Sequence, residues 1–242
     1  MKKNLLVGLS VCCFNTFGSY AQDRVEAEME VELVSSYLWR GYKNAGISVQ
    51  PGMNVEFNGL SAGVWGSQSL TCGGLKEVDL YLSYEIKGLT IGLSDYWWDE
   101  GDAYGYFQYT NGKTSHSWEA NLAYELPFEK FPFALSWNTV FAGDDYNEAG
   151  KRCYSSYLEI LYPFSVGAFD FEAVVGATPW HSPVVLEERS GFSVCNIGIG
   201  AAYALSFGKY FHIPLTAQFV YNPALNIFHA MAGFSFLLRK GE

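Results

Sequence analysis

Glu26, Glu28, Glu30 and Glu32 occupy every second position of a segment whose intervening residues are Ala27, Met29, Val31 and Leu33. Acidic side chains at period two share one face of an extended strand. Later segments put Glu56, Glu85, Glu125, Asp170 and Glu172 on the same kind of face toward one end. Arg40, Glu77, Asp79, Glu119 and Glu159 fall toward the other. If one closed sheet wraps these positions round a common interior, the carboxylates form rings that attract cations and repel anions. Arg40 is nearly the only cationic residue of that parity, so a network of ion pairs across the interior is expected. Such a network would form a constriction or would close the barrel mechanically, since unpaired charges in a confined space are costly. The other reactive side chains are less organised. His116-Ser117 and His181-Ser182 fall in expected loops, and His212 and His229 on the inward parity, without a carboxylate and nucleophile at a recognisable spacing. Asp99, Glu100 and Asp102, and Asp144, Asp145 and Glu148, match no defined calcium loop and read as solvated loop charge. No enzyme, metal or cofactor is expected.

The elements that must position these residues are strands. Alternation is visible over 25–40, 47–59, 60–69, 76–87, 89–98, 117–126, 132–143, 153–162, 168–178, 192–206, 211–222 and 227–238, which makes twelve segments. A further β-like stretch, Tyr104 to Tyr109, fits better inside a long connection, because single-chain bacterial barrels have even strand counts. Connections after even strands are short, as at Asn58-Gly59 and Lys87-Gly88, whereas those after odd strands include 98–117, 144–152 and 179–191. Short periplasmic turns and long outer loops follow that rule, and both ends of the mature chain then lie in the periplasm.

Alternation alone also suits a soluble barrel with an apolar cavity. Two features point the apolar parity outward instead. Segments of about 10 to 13 residues, tilted, cover an apolar band of about 25 Å. Twelve strands with about five apolar side chains each give more than a lumen of this size holds. Aromatics gather at both ends of the segments, as interfacial girdles do. Trp39, Trp97, Phe141, Tyr154, Tyr221 and Phe228 are expected at the outer end, and Phe57, Tyr84, Tyr124, Phe133, Tyr162, Phe169, Phe211 and Phe236 at the inner one. The fold class is therefore all-β, a transmembrane antiparallel up-and-down β-barrel of twelve strands. With 17% aromatic and 17% charged residues, the composition suits a sheet that is greasy on one face.

Lys2 and Lys3 precede an apolar run from Leu5 to Phe17 and the small-x-small string Ser19-Tyr20-Ala21, the pattern of a cleavable export signal over residues 1–21. Residues 22–242 then form a single barrel domain. Its charge is 15 − 2 = 13 basic against 25 acidic side chains, or −12, which disfavours nucleic acid. Cys72, Cys153 and Cys195 remain in the mature chain, an odd number that cannot all pair internally.

Ser36-Tyr37-Leu38-Trp39-Arg40-Gly41 resembles the first-strand signature of the TorF family of porin-like exported barrels, a group without an established biochemical role. Gly63-Val64-Trp65-Gly66-Ser67, Glu77-Val78-Asp79-Leu80-Tyr81, Tyr157-Leu158-Glu159 and Asn222-Pro223 are similar to further family strings, in the same order. The resemblance implies a porin without naming a substrate. Taken together, these readings predict an outer-membrane channel for small solutes with an acidic, cation-preferring lumen. An outer-membrane enzyme acting on lipid and a closed structural or adhesion barrel presenting its loops are the alternatives. Expected partners are outer-membrane lipid, small-molecule or ion solutes, and the barrel assembly machinery during biogenesis. Small inward residues, among them Ala134, Gly176, Gly198, Gly200, Ala202 and Ala204, leave space opposite the charged wall for water or for an inserted loop.

Overall fold

The computed structural model describes residues 25–71, 74–110, 112–128, 131–207 and 211–240. The leader with its cleavage near Ala21, Cys72, and the turn tips at 129–130 and 208–210 lie outside the described residues. The strands are β1 (Glu26–Val34), β2 (Tyr37–Trp39), β3 (Tyr42–Ala45), β4 (Ser48–Phe57), β5 (Leu60–Ser69), β6 (Lys76–Ile86), β7 (Leu89–Asp99), β8 (His116–Glu125), β9 (Ala134–Gly143), β10 (Ser156–Val166), β11 (Phe169–Thr178), β12 (Ser193–Phe207), β13 (Phe211–Asn222) and β14 (Ile227–Lys240). Twelve of them close into one antiparallel barrel. Each pairs with its neighbour in the chain, β1 pairs with β4, and β14 returns to β1 with Ala27 opposite Lys240. A closed sheet of this kind leaves no edge for another chain to add to.

Side chains of opposite character divide between the two faces. On β6, Leu80 and Leu82 are 42% and 49% exposed outside, while Glu77, Asp79 and Ser83 are buried within. The same division recurs on β7, where Ile91 and Leu93 point out and Thr90 and Ser94 point in. An apolar exterior with a polar interior is the inverse of a soluble cavity barrel. Aromatics crowd both rims of the exterior. Tyr221 stacks on Phe228 at one rim with ring centroids 4.3 Å apart, and Phe133 meets Tyr162 at 4.8 Å at the other.

The strands are joined as their turn residues dictate. Asn58-Gly59 and Lys87-Gly88 have φ of 51° and 80°, and of 53° and 80°. Two consecutive residues in the left-handed region form the two-residue hairpin turn whose twist matches the flanking strands. At Gly59 a side chain would come within 2.5 Å of the Glu85 carbonyl oxygen, so the close approach as well as the φ selects glycine. At this turn end of the barrel lie the start of β1 and the end of β14. At the other, loop end lie the long connections 100–115, 144–155 and 179–192.

Three expectations are corrected. The segment 25–40 is not one strand, because β1 leaves the wall after Val34 and the chain from Ser36 to Ala45 turns into the lumen as the hairpin β2–β3. Its turn residues Arg40 and Gly41, at φ 48° and 87°, repeat the signature of the two hairpin turns above. Trp39 is accordingly 5% exposed inside the barrel and takes no part in an outer girdle. The third correction concerns β10, which does not end at Tyr162 but runs on through Pro163 to Val166. Pro163 is tolerated because the pairing of β10 with β9 stops at Leu161, so the missing N–H has no ladder position on that side. As expected, 104–109 forms no barrel strand and belongs to the connection between β7 and β8.

Candidate functional site

The site is the hairpin and the wall it rests on. Ser35 sits at the exit from β1. Its N–H donates to the Ala232 carbonyl, and its hydroxyl accepts from the Ala232 N–H, both at 2.9 Å. The side chain thus replaces the ladder partner that the departing backbone would have supplied. Once inside, β2 is buried on both faces. Tyr37 and Trp39 join Ala45, Leu75, Tyr96, Tyr157, Val185, Leu186 and Cys195 in one buried apolar cluster. Val185 and Leu186 come from the 179–191 loop, which folds over the hairpin. Arg189 ties that loop to the Ala224 carbonyl oxygen, with its Nε at 2.9 Å. The Tyr42 hydroxyl faces Glu188 of the same loop, whose negative charge holds the phenol above its ordinary pKa. Gly41 presses against β12 so closely that a Cβ there would lie 1.9 Å from the Cys195 carbonyl oxygen. Its own carbonyl accepts from Asn222 Nδ2 at 3.1 Å.

Arg40 projects from the hairpin tip and meets Glu119 of β8 in a bidentate pair of 2.6 and 2.7 Å. Both side chains are at most 1% exposed. The guanidinium lies between two aromatic rings, 4.5 Å from the centroid of Trp39 and 4.8 Å from that of Tyr157. A planar, weakly hydrated cation suits this sandwich better than an ammonium would. Glu119 Oε1 also accepts from Tyr96 Oη at 3.0 Å and from Asn121 Nδ2 at 2.7 Å. Asn121 in turn accepts from Ser94 Oγ at 2.8 Å and donates to Asn138 Oδ1 at 3.0 Å. A buried pair without such support loses more in desolvation than it gains in attraction. Here the wall supplies the missing hydrogen bonds.

The other inward carboxylates are distributed round this centre. Glu159 accepts from Tyr157 Oη at 2.7 Å and lies within electrostatic reach of Arg40. Asp79 accepts from Tyr81 Oη at 2.6 Å, and Glu77 is buried beside Tyr37 and Trp98. Toward the turn end, Glu85 lies close enough to Glu125 and to Glu56 to be repelled by both. Asp170 accepts from Ser165 Oγ at 2.6 Å, and Glu172 is buried on the inner face of β11. The sequence alone does not mark Tyr96, Asn121 or Asn138, whereas Tyr157 stands in the family-like string Tyr157-Leu158-Glu159 and shares the parity of Glu159.

The histidines separate. His181 is in the 179–191 loop, with Nδ1 3.1 Å from the Arg189 carbonyl oxygen. His229 faces inward on β14, where burial and the Lys43 charge act on it. The His212 side chain lies outside the described residues. His116 opens β8 instead of lying in a loop, and it sits on the outward parity. It is buried there because the 100–115 loop folds down the outer wall. Its Nδ1 is 2.8 Å from Asp95 Oδ1, its Nε2 is 2.5 Å from the Tyr106 carbonyl oxygen, and Tyr109 stacks on its ring at 4.2 Å. In the 144–155 loop, Asp145 accepts from the Ser155 N–H and hydroxyl at 3.0 and 2.6 Å. Its neighbour Asp144 is held above the usual carboxylate range by burial and by the Asp145 charge. Asp99 ends β7 instead of lying in a loop, and Lys76 of β6, opposite it in the ladder, reaches it at 3.0 Å.

Fold and site define a small, closed, 12-stranded antiparallel barrel, apolar outside and acidic within, with a hairpin folded into its loop end. A family model described as a bacterial protein of unknown function (Gcw_chp) matches residues 20–203. The match spans more than half of the chain, which belongs to that family. No match was found among curated proteins. Among solved structures, the chain is similar to Salmonella typhi OmpF in complex with daunomycin, at 8% identity over 88% of this chain and 97% of that one, TM-score 0.36. It is also similar to a triple mutant of the Rhodopseudomonas blastica porin, at 13% identity over 89% and 99%, TM-score 0.35. A third is a bacterial polysaccharide outer membrane secretin, at 9% identity over 90% and 99%, TM-score 0.40.

Proposed function

We propose that the chain is an exported outer-membrane channel for small solutes, with an acidic vestibule at its turn end and a constriction made by the Arg40 hairpin at its loop end. The placement in lipid is supported by the apolar exterior, which would form an unusually large exposed patch on a soluble protein, and by closure of the sheet, which satisfies the backbone without water. The leader pattern supports export, and the turn end then faces the periplasm. Lipid, small solutes or ions, and the barrel assembly machinery are the partners of such a protein. The TorF-like string Ser36 to Gly41 supports a porin-type role, with the difference that these residues build the constriction and not a wall strand.

One observation carries the preference for cations. Arg40 pairs with Glu119, and the inward parity carries six further carboxylates, those of Glu56, Glu85, Glu125, Glu159, Asp170 and Glu172. In a narrow tube with low-dielectric walls, such charge concentrates cations and excludes anions. Purified protein in a planar bilayer under a potassium chloride gradient is expected to give a small conductance whose reversal potential has the sign of potassium selectivity. Replacing Glu56, Glu85 and Glu125 together with Gln should move the reversal potential toward zero. An anion-selective reversal potential contradicts the vestibule argument. Absence of current from both the wild type and Arg40→Ala contradicts the channel, and would favour a closed structural barrel, to which the buried aromatic cluster round Tyr37 and Trp39 is also suited.

A further inference from the structure

Residues 103–110 carry the four aromatic side chains Tyr104, Tyr106, Phe107 and Tyr109 and no charged one. They belong to the 100–115 connection, which turns back from the end of β7 and lies against the outer face of β7 and β8. Trp97 Nε1 donates to the Tyr104 carbonyl oxygen at 3.0 Å, and the rings of Trp97 and Tyr106 meet edge to face at 5.7 Å. Tyr109 stacks on His116 and lies 6.5 Å from Trp118. Trp97, His116 and Trp118 share the outward parity of Leu93 and Leu122. The loop therefore covers part of the wall as well as the strand ends.

This cover accounts for two polar residues on a face that is apolar farther down, at Leu93 and Leu122. Asp95 and His116 are on the outward parity yet buried, paired with each other, with the Tyr106 carbonyl oxygen at the second ring nitrogen. An unpaired polar group facing hydrocarbon is costly. A loop that satisfies the pair and lays its own aromatic residues over it suits a wall in contact with lipid. At 87%, Phe107 is the most exposed large apolar side chain among the described residues, and Tyr104 and Tyr109 are exposed as well. Glu100 and Asp102 on one side and Lys113 on the other flank this stretch in sequence. Aromatic residues between charged flanks have the order of an interfacial anchor, rings in the bilayer and charges at the headgroups. We propose that residues 103–110 are such an anchor, with Phe107 entering the acyl chains of the leaflet on the loop side. Lipid is the occupant because the loop continues the exposed apolar face of Leu93 and Leu122. The inference rests on the outer-membrane reading and adds a lipid contact made by a loop, at the end of the barrel that carries the hairpin.

Photocrosslinking in phosphatidylcholine vesicles tests this. Benzoylphenylalanine is placed in the purified barrel at one of three positions: Phe107, Leu93 on the wall, or Glu148 in the 144–155 loop. All three side chains are exposed, so the replacement disturbs no packing. After irradiation, mass spectrometry is expected to find phospholipid adducts at 107 in an amount comparable with 93, and none at 148. Adducts at 93 without any at 107 would overturn the anchor and leave the barrel in lipid. Crosslinked pairs of chains from 107, in place of lipid adducts, would overturn it in favour of a second copy as the occupant. No adduct at 93 would overturn the membrane reading, and the anchor with it.

Discussion

Arg40 commits one side chain to a carboxylate and two aromatic faces at once, and the cost of removing it follows from what is left behind. Arg40→Ala strands Glu119 in a site with essentially no exposure. Loss of one partner of a buried pair typically destabilises by about 3–5 kcal/mol. The double variant Arg40→Ala/Glu119→Gln should recover much of that, since no uncompensated charge remains. Urea unfolding in micelles, followed by tryptophan fluorescence, measures both, and an Arg40→Ala variant as stable as the wild type would contradict the pairing. Parity alone placed Arg40 and Glu119 in one inward set, but it could not say which of the nearby carboxylates the guanidinium meets. That choice depends on the chain reversing at Arg40-Gly41, which turns the side chain away from the wall it was read on.

The hairpin was the element hardest to read, although its turn is written in the same terms as the others. Trp39-Arg40-Gly41-Tyr42 presents a residue and a glycine between β-formers, as Phe57-Asn58-Gly59-Leu60 does. The period-two pattern, however, continues through Tyr37 and Trp39, and apolar residues at that period read alike on a lipid-facing wall and in a buried aromatic core. The strands whose two faces stay unlike, such as β6 and β7, were legible for the opposite reason. The outward-facing Asp95–His116 pair escaped notice in the same way, because period two assigns a face but cannot foresee a loop that covers it. His116→Leu should leave the barrel closed and free the 100–115 loop, at a cost of about 1–3 kcal/mol for the stranded Asp95. Faster proteolytic cleavage in that loop, with unchanged unfolding of the barrel, is the expected result. Unaltered cleavage would mean that the aromatic contacts of Tyr106 and Tyr109 hold the loop without the pair.

For the whole molecule, the decisive relation is between a wall that is complete without the hairpin and a lumen that the hairpin enters. Val34 and Ser48 are ladder partners, so the residues between them are an excursion whose ends already touch. Replacing 36–46 by a two-residue Asn-Gly turn should therefore leave the twelve barrel strands paired and remove the constriction. The conductance of this variant in a planar bilayer, against that of the wild type in the same salt, is the most direct test of a hairpin-constricted channel. A large, steady, cation-selective current from a folded variant, beside a small one from the wild type, is the predicted result. A folded variant that conducts no more than the wild type would contradict it.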